Sequence, residues 1–202
     1  CWNTFEEIDF DKLPNQFVLK CTHDSGSTII CRDKDTFDKQ AAADRLNTAL
    51  KRDFYKRMRE WVYKSVTPRI IAEPLLQGTI NDYKFFCFNG EPKAMFIATD
   101  RGVAGVETKF DFFDMDFNHL PFTNGHPNSD KPVKKPVGFE EMKRLASALS
   151  QNIPHARIDF YDINGKIYFG EITFFHWSGT TPFNPIEWDY KFGEWIELPK
   201  KL

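Results

Sequence analysis

Two of the three Asn-Gly pairs, Asn89-Gly90 and Asn164-Gly165, constrain the fold of this chain more than any other feature of its sequence. Strand-like runs flank each pair: Asp82 to Phe88 and Lys93 to Asp100 around the first, Ala156 to Asp162 and Lys166 to Thr173 around the second. Asn-Gly supplies the positive φ angles of a tight hairpin turn, so the strands on either side run antiparallel. Two more runs, Gln16 to Lys20 and Thr28 to Arg32, form a hairpin around the small-residue loop His23-Asp24-Ser25-Gly26-Ser27. Arg69 to Leu76 and Glu107 to Asp114 are also strand-like. From Thr36 to about Lys64 there is no Pro or Gly, and Leu46, Leu50, Phe54, Met58 and Trp61 recur at helical spacing. That predicts one or two amphipathic helices with the stripe facing a core. Phe139 to Gln151 predicts another helix, with Met142, Leu145, Ala146 and Leu149 on one face. Residues 115–138, rich in Pro, Asn, Gly and Lys, read as a long surface excursion. The order of strands, helix, strands, helix, strands is an α+β layout with mostly antiparallel sheets.

The 202 residues accommodate one compact domain, or one large domain with a small lobe. Lys and Arg number 27 against 29 Asp and Glu, a net charge of −2, and the charges are interspersed. A sequence-blind nucleic-acid binder needs a basic excess, so that class is demoted. With 41% hydrophobic residues and 21 Phe, the chain can bury a sizeable core and is not disordered. No apolar run approaches the ~20 residues of a membrane span, so a soluble, cytoplasmic protein is expected. Cys1, Cys21, Cys31 and Cys87 form no C-x-x-C pair and have no His at zinc-ligand spacing, which favours reduced thiols over a zinc site or disulfide framework. Opening at Cys1 without Met suggests an excised piece.

The chemistry concentrates in the last hairpin. In Arg157-Ile158-Asp159-Phe160-Tyr161 the odd-numbered side chains share one strand face, so Arg157 and Asp159 point together. The turn decides what joins them. A two-residue Asn164-Gly165 turn sets Gly170 opposite Asp159, and a three-residue Asn164-Gly165-Lys166 turn sets Glu171 there. The Asn-Gly pair alone favours the shorter turn. The expectation adopted is the longer one, which brings both carboxylates to one face beside Arg157. Two such carboxylates repel unless a cation lies between them, and their hard oxygens suit Mg²⁺, which commonly accompanies phosphates. A solvated sheet face with ordinary cross-strand charge pairs is the competing reading. Lys20, just before the His23 to Ser27 loop, and the strand lysine Lys84 are fixed positive charges that suit phosphates. Neither G-x-x-x-x-G-K-[ST] nor G-x-G-x-x-G is present.

The succession Phe17-Val18-Leu19-Lys20, small-residue loop, helix, Ile70 to Leu76, Asp82-Tyr83-Lys84-Phe85-Phe86, Arg101, Arg157-Ile158-Asp159-Phe160-Tyr161 and Phe169-Gly170-Glu171-Ile172-Thr173 resembles the ATP-grasp superfamily. More closely it resembles the TupA-like ATP-grasp family, associated with bacterial cell-surface polysaccharide synthesis. The resemblance runs from about Trp2 to Leu202. It implies an ATP-grasp fold of two lobes with mostly antiparallel sheets gripping nucleotide: residues 1–76 with the phosphate-covering loop and residues 77–202 with the metal site. A further amino-terminal lobe of complete members is expected to be absent or truncated. By the same resemblance ATP and Mg²⁺ are the cofactors. Lys20 and the loop residues His23, Ser25, Gly26 and Ser27 would meet phosphates, and Glu73 and Leu75 would lie where adenine and ribose are held. Lys84, Arg101 and Arg157 would face phosphates or acceptor, with Asp159, Glu171 and Thr173 as metal ligands.

Thr173 stands where many ATP-grasp enzymes carry Asn, which puts a second metal in question. His176, in Phe174-Phe175-His176-Trp177-Ser178-Gly179, reads as structural, and His119, His126 and His155 share no spacing. Asp114 and Asp116 among Phe110, Phe112, Phe113 and Phe117 read as a half-buried strand rather than a second carboxylate site. Three functions remain open. The first, implied by the family, is an ATP-dependent ligase joining a carboxylate to an amine, with a uronic-acid glycan and an amino acid or peptide as partners. The others are a sugar or glycan kinase, with Asp82 or Asp100 as base, and a non-catalytic glycan-binding module. Asp159→Asn and Glu171→Gln are both expected to abolish turnover with little loss of fold.

Overall fold

The computed structural model describes residues 1–77, 81–101 and 105–199, which divide into two compact units, Cys1–Leu76 and Gln77–Leu202. In the first, strands β1 (Phe17–Cys21), β2 (Ile29–Cys31) and β3 (Ile70–Pro74) pair antiparallel in the order β2-β1-β3. Alternation in β1 turns Phe17, Leu19 and Cys21 inward against Ala42, Leu46 and Ala49 of helix α1 (Lys39–Leu50). Asp38 caps α1 by accepting the Ala41 N–H at 2.9 Å.

Two α-helices occupy the stretch where the sequence predicts one or two, but the stripe of residues does not run continuously across them. Helix α2 (Phe54–Met58) starts afresh behind the cap of Asp53 and ends at left-handed Arg59, with φ 62°. Each restart resets the rotational phase, so residues spaced for one helix no longer share a face. Leu46 is fully buried, Leu50, Phe54 and Met58 are half-buried, and Trp61 is 62% exposed.

The second unit is a five-stranded antiparallel sheet in the order β6-β5-β4-β7-β8, made of β4 (Asp82–Phe88), β5 (Glu91–Thr99), β6 (Lys109–Phe113), β7 (Ala156–Ile163) and β8 (Lys166–Thr173). Central β4 is buried along its whole length. Phe85 and Cys87 join Met95 and Ile158 under helix α3 (Phe139–Leu149), which contributes Phe139, Met142 and Ala146. Leu149, predicted on that face, is 40% exposed, while Ser150 beside it is buried. Phe86 and Phe88 face the other way, into an aromatic layer of Phe96, Phe110, Phe112, Phe122 and Phe192, the last from helix α4 (Glu187–Glu194). Each such ring contributes about 1.5–3 kcal/mol by burial. Residues 115–138 are more than a surface excursion, since Phe122 and Asn124 are buried. All four cysteines are free, and burial pushes the Cys87 thiol up to about 12. No helix among the described residues is long and apolar enough to cross a membrane.

The last hairpin corrects the reasoning about its register. Its turn has two residues, with Ile163 opposite Lys166 and Asn164 and Gly165 at φ 54° and 82°. Asp159 nevertheless faces Glu171, because a bulge intervenes: Phe160 pairs with Phe169, and Gly170 is left without an opposing residue. A Cβ on Gly170 would lie 3.0 Å from the Asp159 carbonyl oxygen, so the close approach of the two backbones favours glycine.

Candidate active site

Three adjacent strands bring one ionic network to one face of the second unit. In the β4–β7 ladder Lys84 lies opposite Asp159, and its Nζ pairs with Asp159 Oδ2. Arg157, two residues earlier on the same face of β7, donates from Nε to Asp159 Oδ1 at 2.7 Å and from Nη2 to Oδ2 at 2.8 Å. The same Nη2 reaches Glu171 Oε1 at 3.2 Å and Thr173 Oγ1 at 2.9 Å on β8. The Thr173 hydroxyl donates to Glu171 Oε1 at 3.2 Å. Thus Arg157 is the cation between the two carboxylates. Asp82 extends the network, its Oδ2 lying 3.7 Å from Lys84 Nζ and pairing with Arg101 Nη1.

Asp82, Lys84, Arg157 and Asp159 are buried, whereas the Glu171 side chain is 62% exposed. Burial lowers the Lys84 ammonium from the ordinary lysine value, with the Asp159 charge opposing that shift. Charges this enclosed persist because each is paired, and removing one partner strands the other.

A second group meets Arg157 from outside the strands. Its Nη1 lies 2.6 Å from Nδ1 of His176, whose Nε2 lies 2.8 Å from Oδ1 of Asn124. Asn124 Nδ2 donates to the carbonyls of Thr181 and Pro182 at 2.9 and 3.1 Å. His176 opens a turn in which Trp177, Ser178 and Gly179 are successively left-handed, with φ 49°, 55° and 69°. That conformation costs the two non-glycine residues about 1–2 kcal/mol each. Burial, reinforced by the charges of Arg157 and Lys84, holds the His176 ring pKa well below its usual value. The sequence left His176 as structural and passed over Asn124; no spacing pattern links residues so far apart.

In the first unit, Lys20 and Glu73 share an outward face of β1 and β3 and pair at 2.9 Å. The Leu75 N–H donates to the Gln16 carbonyl at 3.3 Å, fixing the chain as it leaves β3. Of the loop residues expected to meet phosphate, Ser25 and Gly26 lie at the exposed tip. The buried side chains of His23 and Ser27 instead hold the loop's shape: His23 Nε2 donates to the Arg52 carbonyl at 3.2 Å. Ser27 Oγ accepts the Cys21 N–H at 2.9 Å and donates to Asp24 at 2.6 Å. A cavity of about 420 Å³ in this unit lies between β2 and α1, lined by residues such as Ile30, Phe37 and Ala41 rather than by these.

Among the described residues no three His, Cys, Asp or Glu side chains cluster as a metal site. Glu171 and the Thr173 hydroxyl present hard oxygens at the surface, which fits a magnesium ion that keeps water and phosphate as its other ligands. Asp159 fits only once Lys84 or Arg157 turns from it to another anion. Asp114 is no second site: Oδ1 accepts the N–H groups of Asp116 and Asn118 at 2.9 and 2.8 Å, shaping a turn.

The chain is an ATP-grasp protein. More narrowly, the chain belongs to the TupA-like ATP-grasp family, whose profile matches residues 1–197. Among solved structures it is similar to D-alanine--D-alanine ligase from Bacillus anthracis, at 18% identity and TM-score 0.47, over 97% of this chain and 58% of that one. The ATP complex of the Bacillus anthracis enzyme gives 17% and 0.43, covering 83% and 44%. The Helicobacter pylori D-alanine--D-alanine ligase gives 14% and 0.42, covering 83% and 44%. The chain therefore spans about half the length of these proteins. A search of curated protein sequences finds no match.

Proposed function

We propose that the protein is an ATP-dependent carboxylate-amine ligase working through an acyl phosphate, in the bacterial cytoplasm, on a cell-surface polysaccharide or its precursor. The observation that carries this reading is the network of Lys84, Arg157, Asp159, Glu171 and Thr173 on one sheet face. A uronic-acid carboxylate would take the γ-phosphoryl group from ATP, leaving ADP. An amino acid or peptide amine would then attack the acyl carbon, expel phosphate and lose a proton, giving an amide.

This chain's residues do the positioning. Lys84 and Arg157 are paired cations that can exchange a carboxylate for a phosphate oxygen, and Arg101, held by Asp82, adds a third. Lys20 and the tip residues Ser25 and Gly26 offer an ammonium and backbone N–H groups to phosphates, while Glu73 and Leu75 would adjoin the nucleoside. Magnesium, held by Glu171 and Asp159 with the Thr173 hydroxyl beside them, would neutralise phosphate charge when bound with ATP. The kinase alternative is less well supported: Asp82 is buried and ion-paired, and Asp100 is exposed at a left-handed backbone position with φ 57°.

The test is to incubate the full-length protein with Mg-ATP, candidate uronic acids and hydroxylamine. Hydroxamate formation supports the ligase, and a phosphorylated sugar in its place would establish the kinase. Lys20→Met should weaken ATP binding by calorimetry, and unchanged affinity removes Lys20 from the site.

A further inference from the structure

We propose that His176 is a positioning residue for Arg157, a neutral imidazole whose Nδ1 accepts a hydrogen bond from the guanidinium and whose tautomer is set by Asn124. The assignment follows from donor and acceptor capacity. A guanidinium can only donate, so at 2.6 Å from Arg157 Nη1 the His176 Nδ1 must carry a lone pair and no proton. The ring proton then sits on Nε2, which needs an acceptor. Asn124 Oδ1 is there at 2.8 Å, and the amide cannot be turned the other way round, because its Nδ2 donates to the Thr181 and Pro182 carbonyls. The ring itself packs against Phe86 and Phe96, with centroids 5.0 and 5.5 Å away.

This anchor differs from the two carboxylates that Arg157 also meets, and adds to the neutral Thr173 hydroxyl on Nη2 a second neutral acceptor on Nη1. Asp159 and Glu171 hold the guanidinium by opposing its charge, so whatever draws them away also releases it. A neutral acceptor fixes direction without cancelling charge. With Nη1 tied to His176, Arg157 keeps its orientation and its full positive charge when the carboxylates turn to another cation. The N–H groups that the carboxylates release can then donate to an incoming phosphate oxygen. The catalytic consequence rests on the ligase reading; the relay itself rests on the geometry alone.

The experiment has two arms, both on the full-length protein. Histidine ¹⁵N NMR at pH 7 should show His176 protonated at Nε2 only, with an Nδ1 shift that moves toward the free lone-pair value in Arg157→Met. An Nδ1-protonated ring, or a spectrum unmoved by Arg157→Met, overturns the relay. In the second arm ADP release from Mg-ATP, with the candidate uronic acids and hydroxylamine present, is followed for two variants. His176→Phe, which preserves the aromatic packing, should lose on the order of 10²-fold in kcat with little change in KM for ATP. His176→Gln, which can still accept from Arg157, should recover most of that rate. Equal rates in His176→Phe and wild type overturn the positioning role. A wild type that releases no ADP while keeping the NMR pattern overturns the ligase reading and leaves the relay standing.

Discussion

The β4–β5 and β7–β8 hairpins use the same turn and a similar irregularity to opposite ends. Both close on Asn-Gly with positive φ at both residues, and both carry one bulge. In β4–β5 the register shifts between Phe86 and Cys87, where Phe86 pairs with Ala94 and Cys87 with Pro92. The residue passed over is Lys93, and the strands around it remain buried core. In β7–β8 the residue passed over is Gly170, and the shift sets two carboxylates against one arginine at a half-exposed edge. A bulge inside a core bends the sheet, whereas the same device at an edge strand re-aims side chains.

The largest expected effect separates the two carboxylates that the sequence treated alike. Asp159→Asn leaves Lys84 and Arg157 buried beside a neutral amide, so it should cost about 3–5 kcal/mol of stability in urea titrations. The expectation of little loss of fold is therefore corrected for Asp159 and kept for Glu171. Glu171→Gln, at a largely exposed position, should cost under about 1 kcal/mol while abolishing Mg-ATP turnover. Equal stability losses would mean that Asp159 is not enclosed as described.

A smaller effect should distinguish the glycines of the two hairpins. Gly170→Val drives a side chain into the Asp159 carbonyl and the Tyr161 ring, for about 1–3 kcal/mol and loss of turnover. Gly90→Ala meets only the flexible end of Gln151 but keeps φ at 87°, so about 1 kcal/mol should be lost with turnover intact. Turnover that survives Gly170→Val would show that the bulge does not set the site.

The smallest effect concerns pH, at the residues that connect the hairpins to their surroundings. Burial, with Arg157 reinforcing it, lowers the pKa of His155, which stacks on Phe88 with centroids 4.6 Å apart. His176 is lowered in the same way, facing Arg157 and Lys84. Between the unfolded value of about 6.5 and these lower folded values the unfolded chain binds more protons. Stability is therefore fully present above about pH 6.5 and falls on acidification through that window. Thermal melts from pH 7.5 to 5 should show the decline, and His155→Phe should flatten part of it. A melting temperature that rises on acidification would contradict both assignments.

Local chemistry made much of this protein legible in one dimension. The Asn-Gly turns, the bounds of β4 and the sharing of a face by Arg157 and Asp159 follow from positive φ and period-two alternation, which neighbouring residues set among themselves. The pairing of Asp159 with Glu171 was reached through the wrong turn, because a bulge is decided by how closely two backbones pack, and Gly170 announces only that such an approach is tolerated. The phase of the helical stripe was lost where α1 stops and α2 restarts, since caps at Asp38 and Asp53 outweigh a repeat that runs past them. What the tertiary structure alone decided is the company Arg157 keeps. His176 meets it from one loop and Asn124 meets His176 from another, and hydrogen bonds between such residues leave no periodicity because nothing but the folded shape brings them within reach.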